Sequence, residues 1–138
     1  MTASSPQRQI ASKTQRDVLL VMPADRRASI LECFEALGIE ANTAATCREA
    51  RRVLKHDHPT PIVVTGVTLD DGNWSDLLRF VVDNDVRTRV VIVAPDADAG
   101  LWSEVVWRGG HDLLIEPCQR AEVDRVLDSA FRSQSEAA

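Results

Sequence analysis

The sequence has no long apolar run: no stretch approaches the roughly 20 consecutive apolar residues needed to cross a bilayer. Its opening segment, MTASSPQRQIASKTQR, also has no apolar stretch of the kind found in a secretion signal. We therefore expect a cytoplasmic protein with no membrane partner.

Positive charge is also scarce. The chain carries 16 basic and 21 acidic side chains, for a net charge of -5. Binding to a nucleic-acid backbone depends on an excess of clustered cations. The charge balance therefore argues against a nucleic-acid partner.

Cysteines are few, and their spacing fits no metal motif. Cys33, Cys47 and Cys118 form no CxxC pair, and an odd number without a secretion signal indicates free thiols. We expect neither disulfides nor a structural zinc site. No motif in the sequence specifies a metal, a cofactor, catalytic residues or an enzyme.

The patterns that are present predict one α/β domain. The 138 residues match the usual size of a single domain. Aliphatic runs predict buried strands, and apolar residues at spacings of three and four between the runs predict helices with one buried stripe. The strands are expected at residues 18–21, 39–43, 61–67, 90–94 and 113–115.

Strands that alternate with helices indicate a doubly wound (βα)5 fold around a five-stranded parallel sheet. We expect this domain to span residues 17–133. Residues 1–16 are polar and are expected to form a flexible tail. Residues 134–138 are expected to form a second, short tail.

Two segments, VVTGVTLDDG (63 to 72) and RGGHDLLIEP (108 to 117), each combine an aliphatic run with a turn. They resemble the receiver domains of response regulators: the first is similar to VVTDVxLPDG, a frequent form of that family's third strand and following loop, and the second aligns with AGADDYLVKP. The resemblance covers about Asp17 to Arg132. It implies the flavodoxin-like receiver fold and a role in two-component signal transduction. Trp74 departs from the family, which usually has a small glycine there.

The resemblance also shows which chemical groups are missing. Receivers are phosphorylated on an aspartate that ends the third strand, with a Mg²⁺ ion held by two acids after the first strand. A hydroxyl and a lysine, after the fourth and fifth strands, bind the phosphoryl oxygens. The corresponding positions here are Met22, Pro23, Gly66, Ala94 and Glu116.

None of these five side chains can serve the role that the family assigns to its position. The resemblance therefore implies a degenerate receiver, or pseudo-receiver, without a phosphoacceptor or a Mg²⁺ site. It also implies a cis peptide bond before Pro117.

Tryptophan marks a candidate interface. By resemblance, Trp102, Val106 and Leu113 lie on the face of the fourth helix, fifth strand and fifth helix that receivers use to dimerise or to bind partners. Exposed tryptophans commonly anchor interfaces. We expect phosphorylation-independent binding to another signalling protein or to a second copy of the chain. The alternative is that Trp102 or Trp107 simply packs on its own helix.

Two other interpretations use the carboxyl-end rim of the sheet, where open α/β sheets bind ligands. Met22, Pro23, Gly66 and Ala94 are small or apolar, so the rim pocket could belong to a small-ligand or metal sensor. Asp25, Asp70 and Asp71, together with Glu116, could form a substitute Mg²⁺ or phosphate site. The ordinary role of those aspartates is to begin a helix or to form a polar turn.

Overall fold

Five parallel strands form the central sheet of the computed structural model, which describes residues 18–56, 61–84, 87–96 and 99–137. The sheet strands are β1 (Val18–Val21), β2 (Ala41–Ala44), β3 (Ile62–Gly66), β4 (Arg89–Ala94) and β5 (Asp112–Ile115). Their spatial order is β2, β1, β3, β4, β5, and every neighbouring pair is parallel. The predicted doubly wound sheet is confirmed.

Five α-helices connect or follow these strands. They are α1 (Ala28–Ala36), α2 (Cys47–His56), α3 (Trp74–Asp83), α4 (Ala99–Trp107) and α5 (Arg120–Ala137). Asp25 does not begin α1, because a short 3-10 turn at Ala24–Arg26 precedes that helix. α5 passes the boundary predicted at residue 133, since its final residues include good helix formers such as Glu136 and Ala137. The predicted tail at residues 1–16 lies outside the described part of the chain.

The helices cover both faces of the sheet. Alternate residues of each strand point to opposite faces, so Leu19 and Val21 join a core with α2, α3 and α4. Val18 and Leu20 join the core with α1 and α5. All four residues of β1 are at most 1% exposed, which explains why this strand reads as a continuous apolar run.

A small hairpin occupies the connection between β3 and α3. Its two antiparallel strands are Thr68–Leu69 and Gly72–Asn73. The Asn73 side chain accepts hydrogen bonds from the backbone N–H groups of Ser75 and Asp76, and the Asp76 carboxylate accepts one from the backbone of Asn73. This reciprocal capping fixes the start of α3. It also turns Trp74 into the core, where the side chain is 5% exposed.

Two glycines, Gly109 and Gly110, follow α4 and allow it to end for different reasons. Gly109 has a φ of 101°, a conformation that favours glycine. Gly110 is required by crowding instead: a Cβ there would lie 2.6 Å from Cγ1 of Val105 and 3.0 Å from the Val105 carbonyl oxygen. The end of α4 can therefore approach the sheet only without a side chain at position 110.

Gly110→Ala should lower the free energy of unfolding by about 1–3 kcal/mol, because neither Val105 atom can yield without moving α4. Urea denaturation followed by circular dichroism measures this change. Ser103→Ala is the matched control, since Ser103 is exposed on the same helix and should change the value by less than about 0.5 kcal/mol. Equal unfolding midpoints for the two variants would contradict the packing described.

Candidate functional site

The carboxyl ends of the parallel strands meet at one edge of the sheet. Met22 follows β1, Gly66 and Ala94 end β3 and β4, and Glu116 follows β5. The backbone N–H of Glu116 donates to the carbonyl oxygen of Ala94 at 2.8 Å. The structure thus brings these sequence positions together, at the edge where open α/β sheets bind ligands.

A cavity of about 80 Å³ opens at this edge. It is lined by Met22, Pro23, Arg26, Gly66, Val67, Thr68, Val93, Pro95 and Glu116. Ala94 lies between two of these lining residues. Ligand sites commonly measure roughly 300–1,000 Å³, and one water molecule occupies roughly 30 Å³ of liquid. The cavity therefore has room for a few waters.

Met22 lies over Gly66. A Cβ atom on Gly66 would lie 3.4 Å from Cγ and 3.8 Å from Cε of Met22. Met22 is 3% exposed and belongs to the core cluster on the α1 and α5 face. The space into which a side chain at position 66 would project is therefore bordered by a buried thioether, which is a poor ligand for a hard cation.

An ion pair between Arg26 and Glu116 lies at the mouth of the cavity. Nη2 of Arg26 is 3.5 Å from Oε1 of Glu116. The pair is partly solvated, so it stabilises the fold only slightly. Its main effect is to place a positive charge, on Arg26, in the loop after β1 and a negative charge, on Glu116, after β5.

Sequence analysis did not identify Arg26 as part of the site. The available signal was Glu116 itself, because a carboxylate at the rim of a pocket without a metal favours a cation nearby. Arg26 is in the loop that begins at the same edge of the sheet.

The three rim aspartates do not converge on the cavity. Asp25 and Asp70 are exposed, and neither lines the cavity. Asp71 instead caps α2: its Oδ1 accepts from the backbone N–H of Cys47 at 2.8 Å and its Oδ2 from that of Arg48 at 3.0 Å. Within the described ranges, no three His, Cys, Asp or Glu side chains form a metal-binding group.

Solved structures share this architecture. A response-regulator receiver domain protein from Clostridium thermocellum matches with a TM-score of 0.80 and 17% identity, over 89% of this chain and 99% of that chain. The beryllofluoride-activated NtrC4 receiver domain dimer matches at 0.76 and 22%, over 86% and 98% of the two chains. CheY in a complex with CheX, beryllofluoride and magnesium from Borrelia burgdorferi matches at 0.75 and 23%, over 84% and 89%.

The chain has the receiver-domain fold. No model of a known protein family matches the sequence, and no curated protein matches it either. The fold is thus established by three-dimensional similarity at low sequence identity. The Glu116–Pro117 bond, directly after β5, is cis, as the resemblance implied. No helix in the described segments is long and apolar enough to cross a membrane.

Apolar side chains are exposed on α4 of this receiver fold. Trp102 is 51% exposed, Val106 is 45% exposed and Trp107 is 87% exposed. Trp102 and Val106 are four residues apart and share one side of the helix. Val105 is fully buried against the sheet. The structure therefore does not support the alternative that Trp102 and Trp107 simply pack on their own helix.

Leu113 does not belong to that exposed surface. It is 8% exposed and joins the core cluster that contains Val105. Because alternate residues of a strand face opposite sides, Leu113 points into the layer beneath α4. Its backbone N–H donates to Oδ1 of Asp112 at 2.7 Å. The expectation that Leu113 is an exposed anchor is therefore wrong.

The Asp71 carboxylate should stabilise the fold as a cap. Burial of Asp71 opposes ionisation, yet the backbone N–H groups of Cys47 and Arg48 hold its pKa below the usual value. Asp71→Ala should lower the free energy of unfolding by about 1 kcal/mol at pH 7. Asp70→Ala is the matched control, since Asp70 is the exposed neighbour in the same turn.

The pH dependence has a definite sign. Because the folded-state pKa of Asp71 is depressed, its stabilisation is present at neutral pH and is lost as the pH falls below about 4. Urea denaturation of the wild type, Asp71→Ala and Asp70→Ala between neutral and acidic pH checks this. If the difference in free energy of unfolding between wild type and Asp71→Ala grew on acidification, the capping role would be disproved.

Proposed function

We propose that this chain is a receiver-like signalling module that lacks a phosphorylation site and acts through contact with another protein chain. The observation that carries the proposal is the packing of Met22 over Gly66. At the position where receivers carry the acceptor aspartate there is no side chain, and the adjoining space is bordered by a buried methionine.

The surrounding groups support the same conclusion. Phosphoryl transfer needs a nucleophile, a metal ion that neutralises the phosphoryl oxygens and fixed donors that bind them. Pro23 and Met22 offer no oxygen ligand from their side chains, and Ala94 offers no hydroxyl. Glu116 places a negative charge at the mouth of the cavity, which opposes an incoming phosphoryl group. The proposal assigns no catalytic role and no bound cofactor to this rim.

A protein partner is in keeping with the matched structures. One of them is a receiver dimer and another is a receiver bound to a second signalling protein. In the present chain the exposed α4 surface, defined by Trp102 and Val106, is the candidate contact. Tryptophan in such a position supplies a large apolar area and anchors many interfaces.

We assign a second copy of this chain as the occupant of the α4 surface. A two-fold interface brings one patch against itself, so its border must contain charges of both signs. On α5, Glu122 and Arg125 supply charges of both signs. Pairing through the edge of the sheet is less favourable, because β5 has four residues and Asp112 already accepts from the Leu113 N–H.

The small cavity gives less support to a ligand or metal sensor. About 80 Å³ is well below the roughly 300 Å³ of a typical ligand site. Arg26 and Glu116 already pair at its mouth. The three free cysteines fit a reducing compartment, and the proposal accordingly places the module in the cytoplasm.

Incubation with acetyl phosphate and Mg²⁺ should leave the intact mass unchanged, because no carboxylate projects from position 66. Mass spectrometry measures this directly, and light scattering of the same sample should show no change in oligomeric state. A phosphorylatable receiver domain treated in parallel confirms that the donor is active. A stoichiometric phosphoryl adduct on this chain would refute the proposal.

Trp102→Ala should weaken self-association about tenfold or more, as expected for an aromatic anchor at an interface. Sedimentation equilibrium gives the dimer dissociation constant. Trp107→Ala is the matched control, because it removes the same side chain from the same helix on a different side. A monomeric wild type at all concentrations, or equal effects of the two variants, would overturn the assignment of a second copy.

A further inference from the structure

A polar groove lies between α5 and the start of β5, at the end of the sheet opposite Gly66. Its volume is about 500 Å³, and it is lined by His111, Arg125, Asp128, Ser129, Arg132 and Ser133. His111 directly precedes β5 and the other lining residues lie on α5. This volume falls within the range of roughly 300–1,000 Å³ that small-molecule sites occupy.

Cations are concentrated around this groove although the chain as a whole has a net charge of -5. Arg125 and Arg132 line it, and Arg89 approaches it from the first position of β4: Nη2 of Arg89 donates to the carbonyl oxygen of Ser133 at 3.1 Å. Asp128 is the one acidic residue in the lining. Three guanidinium groups around one groove favour a ligand with a concentrated negative charge.

The two arginines of α5 are available to a ligand. Arg125 pairs with Glu122 and Arg132 pairs with Asp128, in each case within one turn of the same helix. Both arginine side chains are more than half exposed. Exposed pairs of this kind are weak, so a dianion can recruit the guanidinium groups without loss of folding.

Arg89 has an unsatisfied donor near the groove. Its Nε is buried, and it has no hydrogen-bond partner in the part of the chain that the structure describes. Buried donors are normally satisfied by protein, water or ligand. An acceptor held beside Ser133 would be close to the Arg89 guanidinium.

His111 provides a second kind of polar group. Its Nε2 lies 3.1 Å from Oγ of Ser129. Burial lowers the pKa of His111, with the nearby Arg89 acting in the same direction and Asp112 opposing it. At neutral pH the ring is therefore uncharged, and a bound anion would raise its pKa by stabilising the imidazolium form.

We propose that this groove binds a phosphoryl group, carried either by inorganic phosphate or by a small phosphate ester. The guanidinium groups of Arg125 and Arg132 contact the phosphoryl oxygens, and the positive charge of Arg89, which is bonded to the Ser133 carbonyl oxygen, adds to the attraction. The hydroxyls of Ser129 and Ser133 supply neutral hydrogen bonds beside them. This site is distinct from the rim at Gly66.

Two probes distinguish the sources of the phosphoryl group. Isothermal titration with inorganic phosphate and with a hexose phosphate gives the two dissociation constants, and the unphosphorylated hexose is the blank. Binding of either phosphate is expected, and the tighter of the two identifies the source. Arg132→Gln should weaken that binding about tenfold, the loss expected from one charge-assisted contact.

Arg120→Gln is the matched control, because it removes the same charge from an exposed position at the far end of α5. Proton NMR of the His111 ring supplies an independent readout: its pKa should rise by about one unit when phosphate is bound. The charged groups around the ring are Asp112 and Arg89, which act on its pKa, and Arg125, Asp128 and Arg132, which line the same groove. Arg89→Met should abolish that rise.

Three outcomes would overturn the site. They are no saturable binding of either phosphate at millimolar concentration, equal weakening of phosphate binding by Arg132→Gln and Arg120→Gln, and a His111 pKa that does not change when phosphate is added. Circular dichroism and unfolding midpoints of all three arginine variants verify that each is folded.

Discussion

The helices cover the sheet on both faces, and this constraint decides where chemistry can take place. Since the strands of the sheet are parallel and the side chains of β1, β3 and β4 are almost all buried above and below, the ends of these central strands are their accessible parts. The carboxyl end gathers Met22, Gly66, Ala94 and Glu116. The amino ends of β4 and β5 bring Arg89 and His111 beside α5.

At the carboxyl end, an apolar side chain packs beside Gly66. Gly66 has no side chain, and Met22 lies over it from the core of the α1 and α5 face. A Cβ at position 66 would be in ordinary van der Waals contact with the methionine, and a polar residue at 22 would be buried beside a glycine. Arg26 and Glu116 then pair across the mouth of the small cavity that is left.

The loop after β3 is also held in place by its own contacts. Asp71 caps α2, and the hairpin of Thr68–Leu69 and Gly72–Asn73 leads directly into the capping box of α3. Trp74 then enters the core, and the Arg108 guanidinium lies 6.0 Å from the centre of its ring. These contacts fasten a segment that borders the cavity to two helices.

Much of this fold could be predicted from the sequence, because continuous aliphatic runs and helical spacing follow directly from burial. The sheet and the five helices are examples. The hairpin and the cap by Asp71 could not be predicted, since both depend on which distant backbone groups lack partners. The exposure of Leu113 was predicted wrongly for a related reason. On a short edge strand, a shift of one residue in the alternation moves a side chain from one face of the sheet to the other.

The candidate sites were predictable to different degrees. Gly66 and Ala94 stand out in sequence because alignment with a motif shows which groups are missing. Arg26 and the groove beside His111 are formed by residues far apart in sequence, so only the folded chain brings them together.

The most direct test of the central claim is an NMR titration of the backbone amides with Mg²⁺ and beryllofluoride, which mimics a phosphoryl group on an aspartate. The account predicts that the signals of Gly66, Ala94 and Glu116 do not move, because position 66 carries no carboxylate that could bind beryllofluoride. Saturable shifts confined to those residues would contradict it, since they would show that the rim still accepts a phosphoryl-like ligand.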